Sequence, residues 1–355
     1  MANPPKKPSK NETAKNLRGK LDLPLIAAPM FLISNPKLAL ACCEEGIMGS
    51  FPALNCRTPE ELDTWLTQMN DGIAKLKKDN PDKKIAPYAV NLIVHKSNPR
   101  LQEDLELCVK HKVPVIITSL GAVPELVKAV HSYGGVVLHD VTNPYHAKKA
   151  ADAGADGIIA VAAGAGGHAG TMNPLTLVKE IRKFFDGAIV LAGGLTDGAD
   201  IFAAEAAGAD LAYMGTRFIN TQESAAPADY KEMIKSAAVT DIIYTDAVSG
   251  VPANFMRRSL EKAGYDIEEL KKKPTGQGKL KPLEEDAKAW KTVWSAGHGV
   301  GRIDDIPSVT ELAQKLRDGY KAARDKLLKP ENGAHNTAAA PRKNAPDKKS
   351  GAPRR

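Results

Sequence analysis

Three neighbouring apolar runs in this chain each end in glycine, and that pattern limits the folds available to it. Gly157–Val161 leads into Gly164-Ala165-Gly166-Gly167-His168-Ala169-Gly170, Ala188–Ala192 into Gly193-Gly194, and Leu211–Met214 into Gly215-Thr216-Arg217. Segments stripped of Cβ atoms let backbone N–H groups come close to an anion. Repetition at three strand ends points to one shared site, and so to a fold that gathers strand ends on one face. Short apolar runs alternate with segments of helical period from Leu21 to about Arg217, as in repeated strand and crossover-helix units. The expected strands are 23–28, 46–51, 86–91, 115–118, 136–139, 157–161, 188–192 and 211–214. Eight such units fit an α/β fold of the (β/α)8 TIM-barrel type, with an open doubly wound sheet as the alternative.

Helix starts are written as a capping residue before proline: Ser34-Asn35-Pro36, Thr58-Pro59-Glu60, Asn98-Pro99, Asn143-Pro144 and Asn173-Pro174. Residues 150–156 and 204–210 read alike. Each predicts a helix ending on a left-handed glycine that turns into a strand. Alternation fails from Asn220 to Trp290, where a helical insertion is expected to include the apolar-rich 241–251 and the Lys- and Pro-rich 271–282, followed by a closing helix near Val309–Leu328. The barrel is therefore expected over 21–328, with a basic disordered segment at 1–20 and a disordered basic tail at 329–355.

The net charge of +7 belongs to those ends. Residues 1–20 carry six basic and one acidic side chain, residues 331–355 six and two, leaving the middle at about −2. Nucleic-acid binding by the core is thereby disfavoured, since it needs a basic patch on a folded face. Cys42, Cys43, Cys56 and Cys108 lack metal-finger spacing and read as reduced thiols, with no metal site. With no leader-like apolar segment and no membrane span, the sequence predicts a cytoplasmic protein.

Barrels commonly hold phosphate in the loops after strands seven and eight, where Gly193, Gly194, Gly215 and Thr216 fall. A dinucleotide fingerprint fails on the first glycine loop, because Ala169 stands at its sixth position. His168, lifted onto that loop, is a candidate general base or a donor to an anionic substrate. His139-Asp140 offers a second ionisable pair at the rim, or a turn-capping Asp. Ala28-Pro29-Met30 supplies a small residue, a rigid turn and a soft side chain, and Asn91 both a donor and an acceptor. Together they suit a flat ring with a polar edge, such as a flavin.

The ordered set Ala28-Pro29-Met30, Asn91, Gly166-Gly167-His168, Ala192-Gly193-Gly194, Met214-Gly215-Thr216-Arg217-Phe218, Gly250-Val251-Pro252 and Trp294-Ser295-Ala296-Gly297-His298-Gly299 resembles the nitronate monooxygenase family over about 21–325. The resemblance implies a TIM-barrel flavoprotein that binds FMN non-covalently and oxidises alkyl nitronates with molecular oxygen to carbonyl compounds and nitrite. It implies Pro29 and Met30 at the isoalloxazine, Asn91 at its polar edge, and Gly166, Gly167, Gly193, Gly194, Gly215 and Thr216 around the phosphate. His168 matches the family's active-site histidine, which contacts nitro oxygens and in some members removes the α-proton of a nitroalkane. Three positions depart from the family: Gly164 stands where many members have Glu, Asp140 where some have Lys, and His298 where many have Gln. The insertion with Tyr244, Gly250-Val251-Pro252 and Asn254 is expected to cover the pocket and set selectivity.

Two other readings stay open. An FMN-dependent enoyl-acyl-carrier reductase resembles the same barrel and needs NAD(P)H, whereas a non-enzymatic binding protein would be tethered by the basic ends. Inosine-phosphate dehydrogenase relatives need a nucleophilic Cys on a barrel loop, and none of the four is so placed.

Overall fold

The computed structural model describes residues 10–272, 275–276 and 290–328. Eight parallel strands, β1 (Leu25–Ala27), β2 (Ser50–Pro52), β3 (Ala89–Ile93), β4 (Val115–Ser119), β5 (Val136–Val141), β6 (Gly157–Val161), β8 (Ala188–Ala192) and β9 (Leu211–Met214), run in the order β1-β9-β8-β6-β5-β4-β3-β2. A parallel bridge between Ile26 and Met48, with Ala27 N–H donating to Met48 O at 2.9 Å, joins the two ends. The result is a TIM barrel, and all eight expected strands are present within a few residues. The short β7 (Gly167–His168) lies outside it.

Around the barrel stand α2 (Pro36–Glu44), α3 (Pro59–Asp79), α4 (Leu101–Lys110), α5 (Pro124–His131), α6 (Pro144–Asp152), α7 (Pro174–Arg182), α8 (Gly198–Ala206) and the closing helix Val309–Leu328. Asn35, Thr58, Asn143 and Asn173 each cap their helix through a side-chain oxygen, as their sequence positions predict. Asn98 does not. Its side chain spans Ile93 O and Arg100 N–H, and α4 begins two residues after Pro99. Both glycine corners form, with Gly154 at φ 94° and Gly208 at φ 100°. Asp156 and Asp210 then turn inward and accept the N–H groups of Val137 and Ile189 on the neighbouring strands. The closing helix lies hard against α8, because a Cβ on Gly198 would sit 2.1 Å from Leu316 O.

Two expectations are corrected. Residues 10–20 are not disordered: Lys10–Gly19 forms α1, which packs against β8 and buries Thr13, Ala14 and Leu17. A face this short stabilises a helix only against a ready-made surface, which composition does not reveal. The insertion is also not purely helical. After α9 (Thr216–Ile219), and beside α10 (Ala228–Lys235), α11 (Arg257–Lys262) and α12 (Ile267–Lys272), it carries the hairpin β10 (Ile242–Thr245) and β11 (Ala253–Met256). Strand β11 pairs antiparallel with β7, setting Ala253 opposite His168 and Asn254 opposite Gly167. The expected disordered stretches 1–9 and 329–355 lie outside the described residues, as does most of 271–282. No helix among the described residues is long and apolar enough to cross a membrane.

Candidate active site

The glycine-bearing strand ends converge as the sequence predicts. Gly194 N–H donates to Gly164 O at 3.1 Å, which ties the loop after β8 to the loop after β6. Gly164 O also accepts His298 N–H at 2.9 Å, and Thr216 Oγ1 accepts Gly297 N–H at 2.9 Å, so the late turn 297–299 joins the same rim. A Cβ on Gly166 would lie 2.8 Å from Gly297 N, so this glycine is needed for close packing of two backbones. At Gly215 a Cβ would meet Ala28 Cβ at 3.6 Å and Met30 Sδ at 3.7 Å, which brings the ends of β1 and β9 together. The N–H groups of Gly193, Gly215 and Thr216 have no acceptor among the described residues. Those amides, with the hydroxyl hydrogen of Thr216, can hold an anion.

Gly164 and His298, two positions that depart from the family pattern, are neighbours in space. A Cβ at Gly164 would stand 3.2–3.3 Å from the His298 ring atoms, so the imidazole occupies the space a longer side chain at 164 would need. This coupling joins residues 134 positions apart and has no local signature.

His168 is held from three sides. Its backbone is fixed by β11, its ring meets Trp290 edge-on at 5.4 Å, and Nε2 lies 3.3 Å from Ser249 Oγ. Ser249 is fully buried and its hydroxyl donates to Val251 O at 2.9 Å. With that hydrogen committed, Nε2–H is the donor to Oγ, and the free lone pair is on Nδ1. Burial pushes the His168 pKa down to about 4, so the ring is neutral at pH 7. Ser249 and Trp290 were not singled out in the sequence. Tyr244 and Asn254 were, and both act on the glycine loop itself: Tyr244 OH donates to Ala169 O at 2.9 Å and Asn254 Nδ2 to Ala165 O at 2.7 Å.

Strand alternation separates the expected His139–Asp140 pair. His139 faces the helix layer, where Nδ1 lies 2.6 Å from Thr118 Oγ1 beside Val123, Leu126 and Ala150, and burial lowers its pKa to about 4. Asp140 faces the barrel axis instead. It accepts Ser119 Oγ–H at 2.6 Å and caps no turn. Asn91 is also inside, with Nδ2 committed to Ile117 O (3.2 Å) and Ser119 Oγ (2.9 Å), so it offers a ligand its Oδ1 acceptor but no donor. Arg302, unremarked in the sequence, supports the Gly193–Gly194 side of the rim. Its guanidinium donates to Gly194 O at 2.9 Å and pairs with Asp197 and Asp200.

The chain is similar to known proteins over most of its length. Residues 14–319 match the nitronate monooxygenase family as a whole. Nitronate monooxygenase of Pseudomonas aeruginosa is 27% identical over a stretch covering 83% of this chain and 96% of that protein. An octahydroindene-carboxyl-CoA dehydrogenase of Rhodococcus jostii is 29% identical over 67% of this chain and 63% of its own length. Among solved structures, nitroalkane oxidase of Streptomyces ansochromogenes superposes with TM-score 0.71 at 26% identity, covering 88% of this chain and 99% of its own. FabK of Thermotoga maritima gives 0.70 at 25% identity, over 88% and 97%. On a match that runs through the barrel, its insertion and its closing helix, this chain belongs to the nitronate monooxygenase family of flavin-dependent oxidoreductases.

Proposed function

We propose that this barrel binds FMN non-covalently and oxidises alkyl nitronates, and neutral nitroalkanes with them, using molecular oxygen and yielding carbonyl compounds and nitrite. One observation carries the reading: amides at Gly193, Gly215 and Thr216 that have no acceptor among the described residues share a rim with the Ala28–Met30 shelf, while a fixed imidazole stands on the adjoining loop. The amides and the Thr216 hydroxyl suit the phosphate, Ala28, Pro29 and Met30 the ring face, and Asn91 Oδ1 the ring's N–H. Gly166 and Gly167 keep the loop thin beside them. Bound there, FMN would supply the electron acceptor for the substrate and the route onward to oxygen. The protein contributes position and field. His168, neutral and with Nδ1 free, can take the α-proton of a nitroalkane. A nitronate, already an anion, needs no base, so for that substrate His168 contributes position alone.

An absorption spectrum of the purified protein, with oxygen uptake and nitrite release on adding propyl-1-nitronate, tests this. Flavin bands with stoichiometric nitrite are expected; a colourless protein that refuses added FMN would defeat it. The likeness to FabK favours a second reading, an NAD(P)H-dependent enoyl-thioester reductase on the same barrel. Rapid enoyl-dependent NAD(P)H consumption without nitrite from a nitronate would select it. Chemistry through a cysteine nucleophile finds no support, since all four thiols are buried, with Cys43 and Cys56 pushed up to about 12 by burial. Truncation of 1–9 and 329–355 separates the enzyme from a charge-tethered binding protein: turnover and bound flavin should survive it.

A further inference from the structure

The barrel interior holds a polar row of which the proposed function uses Asn91 alone. Asn91 on β3, Ser119 on β4 and Asp140 on β5 are linked side chain to side chain, Asn91 Nδ2 to Ser119 Oγ at 2.9 Å and Ser119 Oγ to Asp140 Oδ2 at 2.6 Å. Two atoms of the row lack protein partners among the described residues. One is Asn91 Oδ1, whose orientation is fixed because Nδ2 must face Ile117 O. The other is Asp140 Oδ1, shut off from solvent and unpaired. A buried carboxylate oxygen with nothing to accept is costly, whereas a carboxylic acid can present an O–H to a ligand.

No cation among the described residues offsets the charge. Ser119 faces Asp140 from β4 and Asn91 lies beyond it on β3. Among the described residues the titratable neighbour that senses it is Tyr213 on β9, whose phenol is itself pushed up by burial and by the Asp140 carboxylate. No Lys, Arg or His of the described residues pairs with Asp140, and His139 points the other way.

We propose that Asn91 Oδ1 and a protonated Asp140 together seat the imide edge of the flavin ring, an N–H beside a carbonyl, so that flavin binding is coupled to a proton held on Asp140. This rests on the flavin reading above and adds a binding residue, with its protonation state, to it. An acceptor next to a donor matches an imide; two acceptors, which an ionised Asp140 would give, repel its carbonyl. Burial already raises the carboxyl to about 6, against the pull of the Ser119 hydrogen bond.

Riboflavin and FMN binding, followed by flavin fluorescence from pH 5 to 8 on the full chain, tests the coupling. Riboflavin is needed because the FMN phosphate titrates in the same range. The Kd of wild-type protein is expected to rise above pH 6, by up to about tenfold per pH unit for one linked proton. Asp140→Asn keeps the shape and donates at every pH, so its riboflavin Kd should be flat. Ser119→Ala removes the bond that favours the charged form, so its midpoint should move to higher pH. A slope that persists in Asp140→Asn, or a flat wild type, overturns the inference while leaving the flavin reading intact. Stability gives a readout free of flavin. With the folded carboxyl titrating above its unfolded value of about 3.9, the Tm advantage of Asp140→Asn should grow between pH 4 and pH 8, and an advantage that stays constant refutes the held proton. Failure to bind either flavin at any pH defeats the flavin reading and this inference with it.

Discussion

Replacing Gly166 by Ala tests whether the thinness of the glycine loop is a packing requirement. The added Cβ would fall 2.8 Å from Gly297 N, 3.0 Å from Ala296 C and 3.1 Å from Thr216 Oγ1, so about 0.6 Å must open to reach ordinary contact at 3.4 Å. Two of those three atoms are backbone and cannot rotate away. Overpacking of this kind costs about 1–3 kcal/mol, and loss of the Thr216–Gly297 hydrogen bond (2.9 Å) adds about 1 kcal/mol. At about 2 °C per kcal/mol for a domain of this size, Tm should fall by about 4–8 °C. FMN affinity should weaken by about tenfold, because Thr216 moves with the turn. Gly194→Ala is the control, where the Cβ would meet nothing nearer than His298 Cβ at 4.0 Å but φ is +70°. Its cost is conformational, about 1–2 kcal/mol, and Gly194→Asn, which tolerates that region, should recover much of it. Scanning calorimetry with FMN titration decides the matter. A Gly166→Ala protein with unchanged Tm and Kd would refute the close-packing argument.

Three further outcomes are expected. His168→Asn should keep bound FMN yet slow nitroalkane turnover about 100-fold, the scale of a lost general base, with a smaller loss on the nitronate; equal, undiminished rates on both would make the ring structural. His139 titrates near 4 when folded against about 6.5 unfolded, so below pH 6.5 the unfolded chain binds the extra proton. Stability should therefore fall by up to about 3 kcal/mol between pH 6.5 and pH 4, and urea denaturation of His139→Gln should show that loss reduced. Asn254→Ala leaves Ala165 O without its 2.7 Å donor, so about 1–3 kcal/mol of stability should go, together with protection of the 165–169 amides in hydrogen exchange.

Much of the scaffold was readable because its signals are local. Proline after a capping residue starts four helices as written, and the paired Ala-rich corners stop on left-handed glycines. Asn98 failed for an equally local reason, since its side chain finds Ile93 O and Arg100 N–H first. The strand ends that meet at the rim were legible through missing side chains, because Gly193 and Gly215 stand where backbone meets another chain segment. What escaped were relations between distant residues. The His168–Ser249 contact, the pairing of β7 with β11, the His298 ring over Gly164 and the brace from Arg302 to Gly194 O each join segments 80 or more positions apart. His139 and Asp140 look like a pair in one dimension, and the strand pleat sends them to opposite faces.

The borrowed strand has a kinetic consequence. His168 emerges in synthesis well before Ala253, the residue that lies opposite it in the two-residue ladder, so the glycine loop cannot take its final shape until the hairpin has been made. A growing chain thus carries all eight staves of the barrel, the last ending at Met214, before it carries the strand that pairs with His168.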